Sequence, residues 1–448
     1  MAQIAPFRGL RYNTGKIKDL NQVIIPPYDV ITPHEQELFH RASSYNMVHL
    51  ELGKASNEDT EENNPHTRAA EYLRNWQTEG ILIREETPCI YYYELDYSLS
   101  PHERRTRYGF ICALKLEEFS SGAVRPHEKT FQNVKEERLR LMLACHANLS
   151  PIFSLFCDSD NAVDATLRSG REAFPVIHFA DAHGMEHRIW RVVNPAVLQQ
   201  AATIMEQKTI FIADGHHRYE TGLSYRAIRR EQAGKWSPNE SFEFVMMYLS
   251  NMNDGGLTIL PTHRMLRNLN GMPTGKFLEA ARACFEITRY EPEPDGEKRW
   301  VDALQAGAAH KESIVGFCCL EDRFLYTLKA DRQAISDHLT RKGLPKVLHE
   351  LDVVVLDQVI LRGLFGLSDA FLANERNIHF KHNLDEALAS LRSGDYQAGF
   401  FINPTRIEQV REVASAGLIM PHKSTYFYPK VGSGLTIRLL DQEERVVC

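Results

Sequence analysis

Apolar residues in this chain alternate between two rhythms, and the changes of rhythm mark its elements. Cys89-Ile90-Tyr91-Tyr92-Tyr93-Glu94-Leu95 and Arg107-Tyr108-Gly109-Phe110-Ile111-Cys112-Ala113-Leu114 are rich in aromatic and β-branched residues, with a polar loop around Ser100-Pro101-His102 between them. Such runs predict an antiparallel strand pair. Upstream, Val23-Ile24-Ile25 leads through Pro26-Pro27-Tyr28-Asp29-Val30-Ile31 to Thr32-Pro33-His34-Glu35, which predicts strand, proline turn and helix, with Thr32 as N-cap and Pro33 as first helical residue. The acidic run 57–64 predicts a solvated loop, followed by a helix to about residue 79. A helix over 135–148 and a strand at Ile152-Phe153-Ser154-Leu155-Phe156 come next. Then Thr209-Ile210-Phe211-Ile212-Ala213 stops abruptly at Asp214-Gly215-His216-His217-Arg218, where a helix begins. Strands at 244–250 and 257–260 follow. Beyond the turn signals in Asn270-Gly271-Met272-Pro273-Thr274-Gly275, further elements recur at 313–318, 324–329, 351–364, 398–403 and 435–440.

This pattern predicts a mixed α/β or α+β protein of two domains, 1–270 and 271–448, without internal repeats. At 448 residues the chain exceeds one ordinary domain. With 43% hydrophobic and 25% charged residues it has material for real cores and no signature of disorder. A net charge of -7 argues against a surface that coats nucleic acid. The longest apolar stretch, 351–367, carries Asp352, Asp357 and Arg362, so it reads as a partly buried helix and no membrane span is expected. Eight scattered cysteines without a Cys-x-x-Cys suggest reduced thiols and a cytoplasmic setting. The oligomeric state stays open.

Candidate chemistry gathers in a few places. Gly215 permits a tight turn at the end of a strand. The first N–H groups of the helix after it, with the Arg218 guanidinium, suit a phosphate. Gly215, His216, His217 and Arg218 are therefore candidate phosphate-binding residues, and Asp214 a helix cap, a base or a ligand for Mg²⁺. Metal binding by Asp214, His216 and His217 alone is disfavoured, because adjacent residues at a helix start diverge. In Arg125-Pro126-His127-Glu128-Lys129-Thr130, His127 and Glu128 are acid–base or metal candidates and Arg125 is an anion contact. Asp29 in the proline turn, Thr262-His263-Arg264 at a strand end, and Lys423 within Pro421-His422-Lys423-Ser424-Thr425-Tyr426-Phe427-Tyr428-Pro429-Lys430 complete the set. Asn403 and Pro404 read as N-cap and first residue of another helix.

Five of these stretches, 26–31, 125–130, 213–219, 261–264 and 423–430, together resemble the family known as domain of unknown function 1015. The Asp214-Gly215-His216-His217-Arg218 turn is also similar to the phosphate-binding turn of the ParB/sulfiredoxin fold, which includes free-serine kinases. That resemblance implies a ParB/sulfiredoxin-like core with an inserted subdomain bearing His127 and Glu128, plus a C-terminal α/β domain. It implies that Gly215, His216, His217 and Arg218 hold nucleotide phosphates while Asp214 serves the metal or the acceptor hydroxyl. Asp29 or Glu35 would be the early acidic partner, although about 180 residues separate that turn from Gly215.

Three functions compete on this reading. A kinase using ATP or ADP with Mg²⁺ would phosphorylate a small hydroxylated metabolite; the proximity of family members to serine-biosynthesis genes suggests serine. A metal-dependent hydrolase or phosphatase would be built from Asp214, His216, His217, His127 and Glu128. A non-catalytic nucleotide- or metabolite-binding protein would bind without turnover. All three expect a small-molecule partner and neither nucleic acid nor membrane.

Overall fold

In the computed structural model, which describes residues 2–130, 132–269, 273–374, 376–440 and 445–446, the chain divides into two compact units. The first comprises Met1–Pro126, Thr130–Thr258 and Pro429–Cys448; the second comprises His127–Lys129 and Ile259–Tyr428. Compared with the expected division at 270/271, three segments change sides. The last twenty residues belong to the first unit, whereas His127–Lys129 and the stretch from Ile259 to the expected boundary belong to the second. The Asn270-Gly271-Met272 turn signal lies outside the described residues.

Unit 1 is organised by a mixed nine-stranded sheet. In chain order its strands are β1 (Ile4–Ala5), β2 (Ile90–Ser100), β3 (Glu103–Lys115), β4 (Val124–Arg125), β5 (Ile152–Phe156), β6 (Ile177–Ala180), β7 (Glu186–Val192), β8 (Ile210–Asp214) and β9 (Phe244–Asn251). Across the sheet the order is β4-β8-β5-β9-β3-β2-β7-β6, with β1 added to β3. The β2–β3 hairpin confirms the aromatic strand pair, Tyr92 lying opposite Phe110. Strands β5 and β9 run parallel and β8 runs antiparallel to β5.

One sheet face carries Tyr92, Phe110, Cys112, Leu114, Ile152, Ile210, Ile212, Met247 and Leu249. Val163, Leu167, Ala201, Met205 and Tyr219 cover it from three helices. Burying each large aliphatic or aromatic side chain here contributes about 1.5–3 kcal/mol. That core explains why β8 and β9 read as unbroken apolar runs: each is buried along nearly its whole length.

The remaining helices that matter are α1 (Pro33–Ala42), α2 (Pro65–Thr78), α3 (Gln132–Cys145), α4 (Pro195–Glu206) and α5 (His216–Ala233). Helix α1 starts as its sequence requires: Thr32 accepts from the Glu35 N–H, Glu35 reaches back to Thr32, and Pro33 takes the first position. The expected strand at 23–25 is reduced to a single bridge between Ile25 and Ser433.

Unit 2 holds a six-stranded antiparallel sheet of β10 (His263–Leu266), β11 (Phe285–Tyr290), β12 (Ile314–Cys319), β13 (Leu325–Ala330), β14 (Ile378–Lys381) and β15 (Ala398–Phe401) in the order β11-β13-β12-β15-β10-β14. Its core joins Met265, Trp300, Leu304, Leu388 and Phe401. Residues 352–364 are helical as expected, with the stretch Val355–Leu364 wound as a π-helix. Asn403 and Pro404 do not open a helix: the next one spans Ile407–Ser415, and Arg406 is its N-cap. Among the described residues no helix is long and apolar enough to cross a membrane, and the seven described cysteines are free thiols.

Candidate functional site

The apolar strand β8 ends in the charged turn that its sequence announces. A bulge in its pairing with β5 falls between Ile212 and Asp214 and sets Asp214 opposite Phe153. Gly215 then adopts φ +90°, in the left-handed region, as the N-cap of α5. Glycine is required there on two counts. That backbone is strained for any other residue, and a Cβ would lie 2.8–3.0 Å from the Arg218 guanidinium. Because glycine has no side chain, nothing at the N-cap position itself satisfies the first turn of α5. The expectation that Asp214 caps this helix is therefore replaced by another role.

That role is to organise cations. Arg218 Nη2 donates to Asp214 Oδ2 at 2.7 Å, and the Lys430 ammonium ion-pairs with Asp214 Oδ1. Arg218 Nη1 also donates to Ser150 Oγ at 3.1 Å and to the Pro151 carbonyl at 2.6 Å. Asp214, Arg218 and Lys430 are each only 10–12% exposed. Both carboxylate oxygens thus face cations, so Asp214 as it stands does not fit the Mg²⁺ ligand expected of it; a metal ion there would have to displace Arg218 or Lys430. Among the described residues no three His, Cys, Asp or Glu side chains gather as a metal centre requires.

Two further features of unit 1 adjoin this turn. Arg107 is fully buried. Its guanidinium lies 4.7 Å from the Phe153 ring centre and 5.3 Å from that of Tyr248. It donates to the carbonyl of Pro429, the residue before Lys430, at 2.5 Å, while its Nε and Nη2 have no hydrogen-bond partner. The proline turn is the second feature. Tyr28 stacks on Arg138, 4.2 Å from the guanidinium carbon. Burial pushes the Tyr28 phenol up to about 12, opposed by the positive fields of Arg138 and Arg218. The early turn is thereby brought within electrostatic reach of Arg218. Asp29 is exposed on it, whereas Glu35 is committed to the cap of α1. Arg125 bonds its own loop, Nε to the Gly122 carbonyl at 3.3 Å.

Unit 2 gathers the other predicted residues. His127 Nε2 lies 3.0 Å from Thr425 Oγ1, and Glu128 accepts the Lys423 backbone N–H at 2.7 Å. Arg264 donates to the Lys423 carbonyl at 2.9 Å and to that of Thr262. Burial lowers Arg264 to about 10 and His263 to about 3, so His263 is a neutral core residue that accepts from the Ile402 N–H. His127, Glu128, Arg264 and Lys423 therefore come together, with Glu128 bracing the Lys423 backbone, which has φ +55°. Among the described residues of unit 1, sequence reasoning missed Arg107, Glu51 and Arg138, and from the stretch 421–430 it singled out Lys423 rather than Lys430. Arg107 follows Glu103, Arg104, Arg105 and Thr106 on its strand, so its sequence setting did not set it apart from exposed charges.

The fold and this turn define a mixed α/β protein with a cationic, glycine-capped helix N-terminus at a strand end. Residues 4–354 match the family model described as Protein of unknown function (DUF1015), and the chain belongs to that family. Among curated proteins no relative matches the sequence. Three solved structures show low similarity. A conserved hypothetical protein from Pyrococcus furiosus is 12% identical, with a TM-score of 0.32 over 71% of this chain and 94% of its own. A free serine kinase in complex with AMP is 10% identical, with a TM-score of 0.30 over 68% and 83%. SbnI from Staphylococcus aureus, truncated at its C-terminus, is 11% identical, with a TM-score of 0.34 over 75% and 90%. Likeness of this degree assigns no reaction to the chain, and the functional reading rests on the site's own geometry.

Proposed function

We propose that unit 1 binds the phosphates of a nucleotide, ATP or ADP, at the Gly215–Arg218 turn, and that the protein is a phosphotransferase acting on a small hydroxylated metabolite. The observation that carries this reading is the Asp214 cluster. One carboxylate faces both Arg218 and Lys430, and the buried Arg107 guanidinium, bound through Nη1 to the Pro429 carbonyl, adds a third positive charge one residue removed from Lys430. Next to them stands the positive end of an 18-residue helix. Phosphate oxygens suit such a setting, since cations and backbone N–H groups at a helix start offer charge-assisted bonds to an anion.

Phosphoryl transfer is mostly positioning and charge stabilisation, which a rigid cation cluster supplies. Asp214 serves it by holding Arg218 and Lys430 in place. Mg²⁺ arriving with the nucleotide would draw its ligands from phosphate oxygens and water. The metal-hydrolase reading lacks a ligand cluster among the described residues.

The test is product formation. The full chain is incubated with ATP or ADP and a panel of hydroxylated metabolites that includes serine, and phosphorylated products are read by mass spectrometry. A new phosphomonoester that disappears in the Arg218→Ala variant supports the reading. Nucleotide binding with no product from any acceptor would reduce it to a binding protein.

A further inference from the structure

Glu51, Arg218 and Thr221 line one small cavity of unit 1, and each carries a buried side-chain atom with no hydrogen-bond partner: Glu51 Oε1, Arg218 Nε and Thr221 Oγ1. Glu51 and Thr221 are 3% and 1% exposed. Its volume is about 40 Å³, and Arg138, Asn148 and Ser150 supply the rest of its polar lining. Buried polar atoms are nearly always satisfied, so three at one place point to a missing group.

Their hydrogen-bonding characters say which group. A carboxylate oxygen only accepts, an arginine Nε only donates, and a threonine hydroxyl does either. An anion is repelled by Glu51, and a cation by Arg138 and Arg218. A hydroxyl meets all three demands, since it donates once and accepts from two partners. The volume holds roughly three water-sized groups, enough for the end of a hydroxylated molecule.

The surroundings fix Glu51 for this task. Arg138 Nη1 donates to its Oε2 at 3.3 Å and to its backbone carbonyl at 2.9 Å. Arg138 is anchored in turn by Glu137, Nη2 to Oε1 at 2.6 Å. Arg218 belongs to both places: its Nη2 binds Asp214 at the phosphate turn, and the residue also lines the cavity, with its buried Nε unpartnered.

Resting on the phosphotransferase reading, we propose that this cavity receives the acceptor's hydroxyl and that Glu51 takes its proton. The hydroxyl oxygen forms a bond to the terminal phosphorus of the nucleotide. The phosphorus–oxygen bond to the leaving nucleotide breaks, its electron pair staying with that nucleotide, and the hydroxyl proton passes to Glu51 Oε1. Thr221 and Arg218 Nε hold the oxygen in line.

Titration calorimetry on the full chain tests this with L-serine and glycerol as hydroxyl probes and AMP as a separate ligand. At least one probe binds the wild type. Glu51→Gln and Thr221→Val each weaken that binding about tenfold or more, the scale of one hydrogen bond to a charged or buried partner, while AMP affinity stays within about twofold. Crystals soaked with the bound probe show its hydroxyl oxygen within hydrogen-bond distance of Glu51 Oε1 and Thr221 Oγ1. Thr221→Val preserves shape and keeps the test decisive where Glu51→Gln disturbs folding. The proposal is overturned if neither probe binds, if both variants bind as wild type, or if the cavity holds only water in the soaked crystal. Loss of AMP binding with probe binding intact would instead overturn the phosphate reading alone.

Discussion

Asp214 binds both Arg218 and Lys430, and Arg218 divides its donors among Asp214, Ser150 and the Pro151 carbonyl. A lysine at 218 would supply the charge without the planar fork. Arg218→Lys is therefore expected to destabilise the protein by about 1–3 kcal/mol, measured by urea unfolding, even though the net charge is unchanged; stability equal to wild type would show that the fork is dispensable. A second residue titrates in unit 2. Burial raises the Asp352 carboxyl to about 6, against the opposing influence of Arg406 and the Asn403 N–H. A raised carboxyl favours the folded state while protonated, so its contribution is present below about pH 4 and is lost as pH rises through 6. Relative to Asp352→Asn, the wild type should lose up to about 3 kcal/mol between pH 4 and 7. A pH-independent difference between the two would contradict this. At this scale the sequence disclosed Asp214, Gly215 and Arg218 because glycine between charges at the end of an apolar run has few other uses. It hid Glu51 and Arg138, whose meeting depends on α3 packing near a segment more than eighty residues earlier.

Elements were most legible where local chemistry decides them. Thr32, Pro33 and Glu35 specify the start of α1 by themselves, and Thr32→Ala should cost about 1 kcal/mol of stability without altering nucleotide affinity; thermal unfolding and titration calorimetry read the two separately. The β2–β3 hairpin and β5 were likewise plain in their aromatic and β-branched runs. Reading failed where tertiary context overrides local preference. Asn403 and Pro404 have the chemistry of a helix start, yet Asn403 follows strand β15 and its N–H serves Asp352 instead. Val23-Ile24-Ile25 has strand composition but finds a pairing partner only at Ile25.

For the molecule as a whole, alternation of strands and helices sufficed for the mixed α/β class but not for the course of the chain. Residues 127–129 and 429–448 each belong to the unit that local order would not assign, because pairing between segments some three hundred residues apart leaves no periodic trace. This interleaving delivers Lys430 to Asp214, so the site of unit 1 is complete only when the end of the chain has returned to it. Removing residues 429–448 is expected to abolish nucleotide affinity along with much of the stability of unit 1, and calorimetry with scanning fluorimetry would register both. A truncated chain that still binds nucleotide would show that Lys430 has no part in the site.

Nucleotide titration of the full chain against its Gly215→Val variant tests the phosphate-binding turn most directly. A side chain at 215 meets a left-handed backbone and the Arg218 guanidinium, and circular dichroism of the variant checks that unit 1 still folds. The wild type is predicted to bind ATP, ADP or AMP with micromolar to millimolar affinity and the variant at least tenfold more weakly. Absence of binding to all three nucleotides by the wild type, or equal affinity in the variant, would contradict the account.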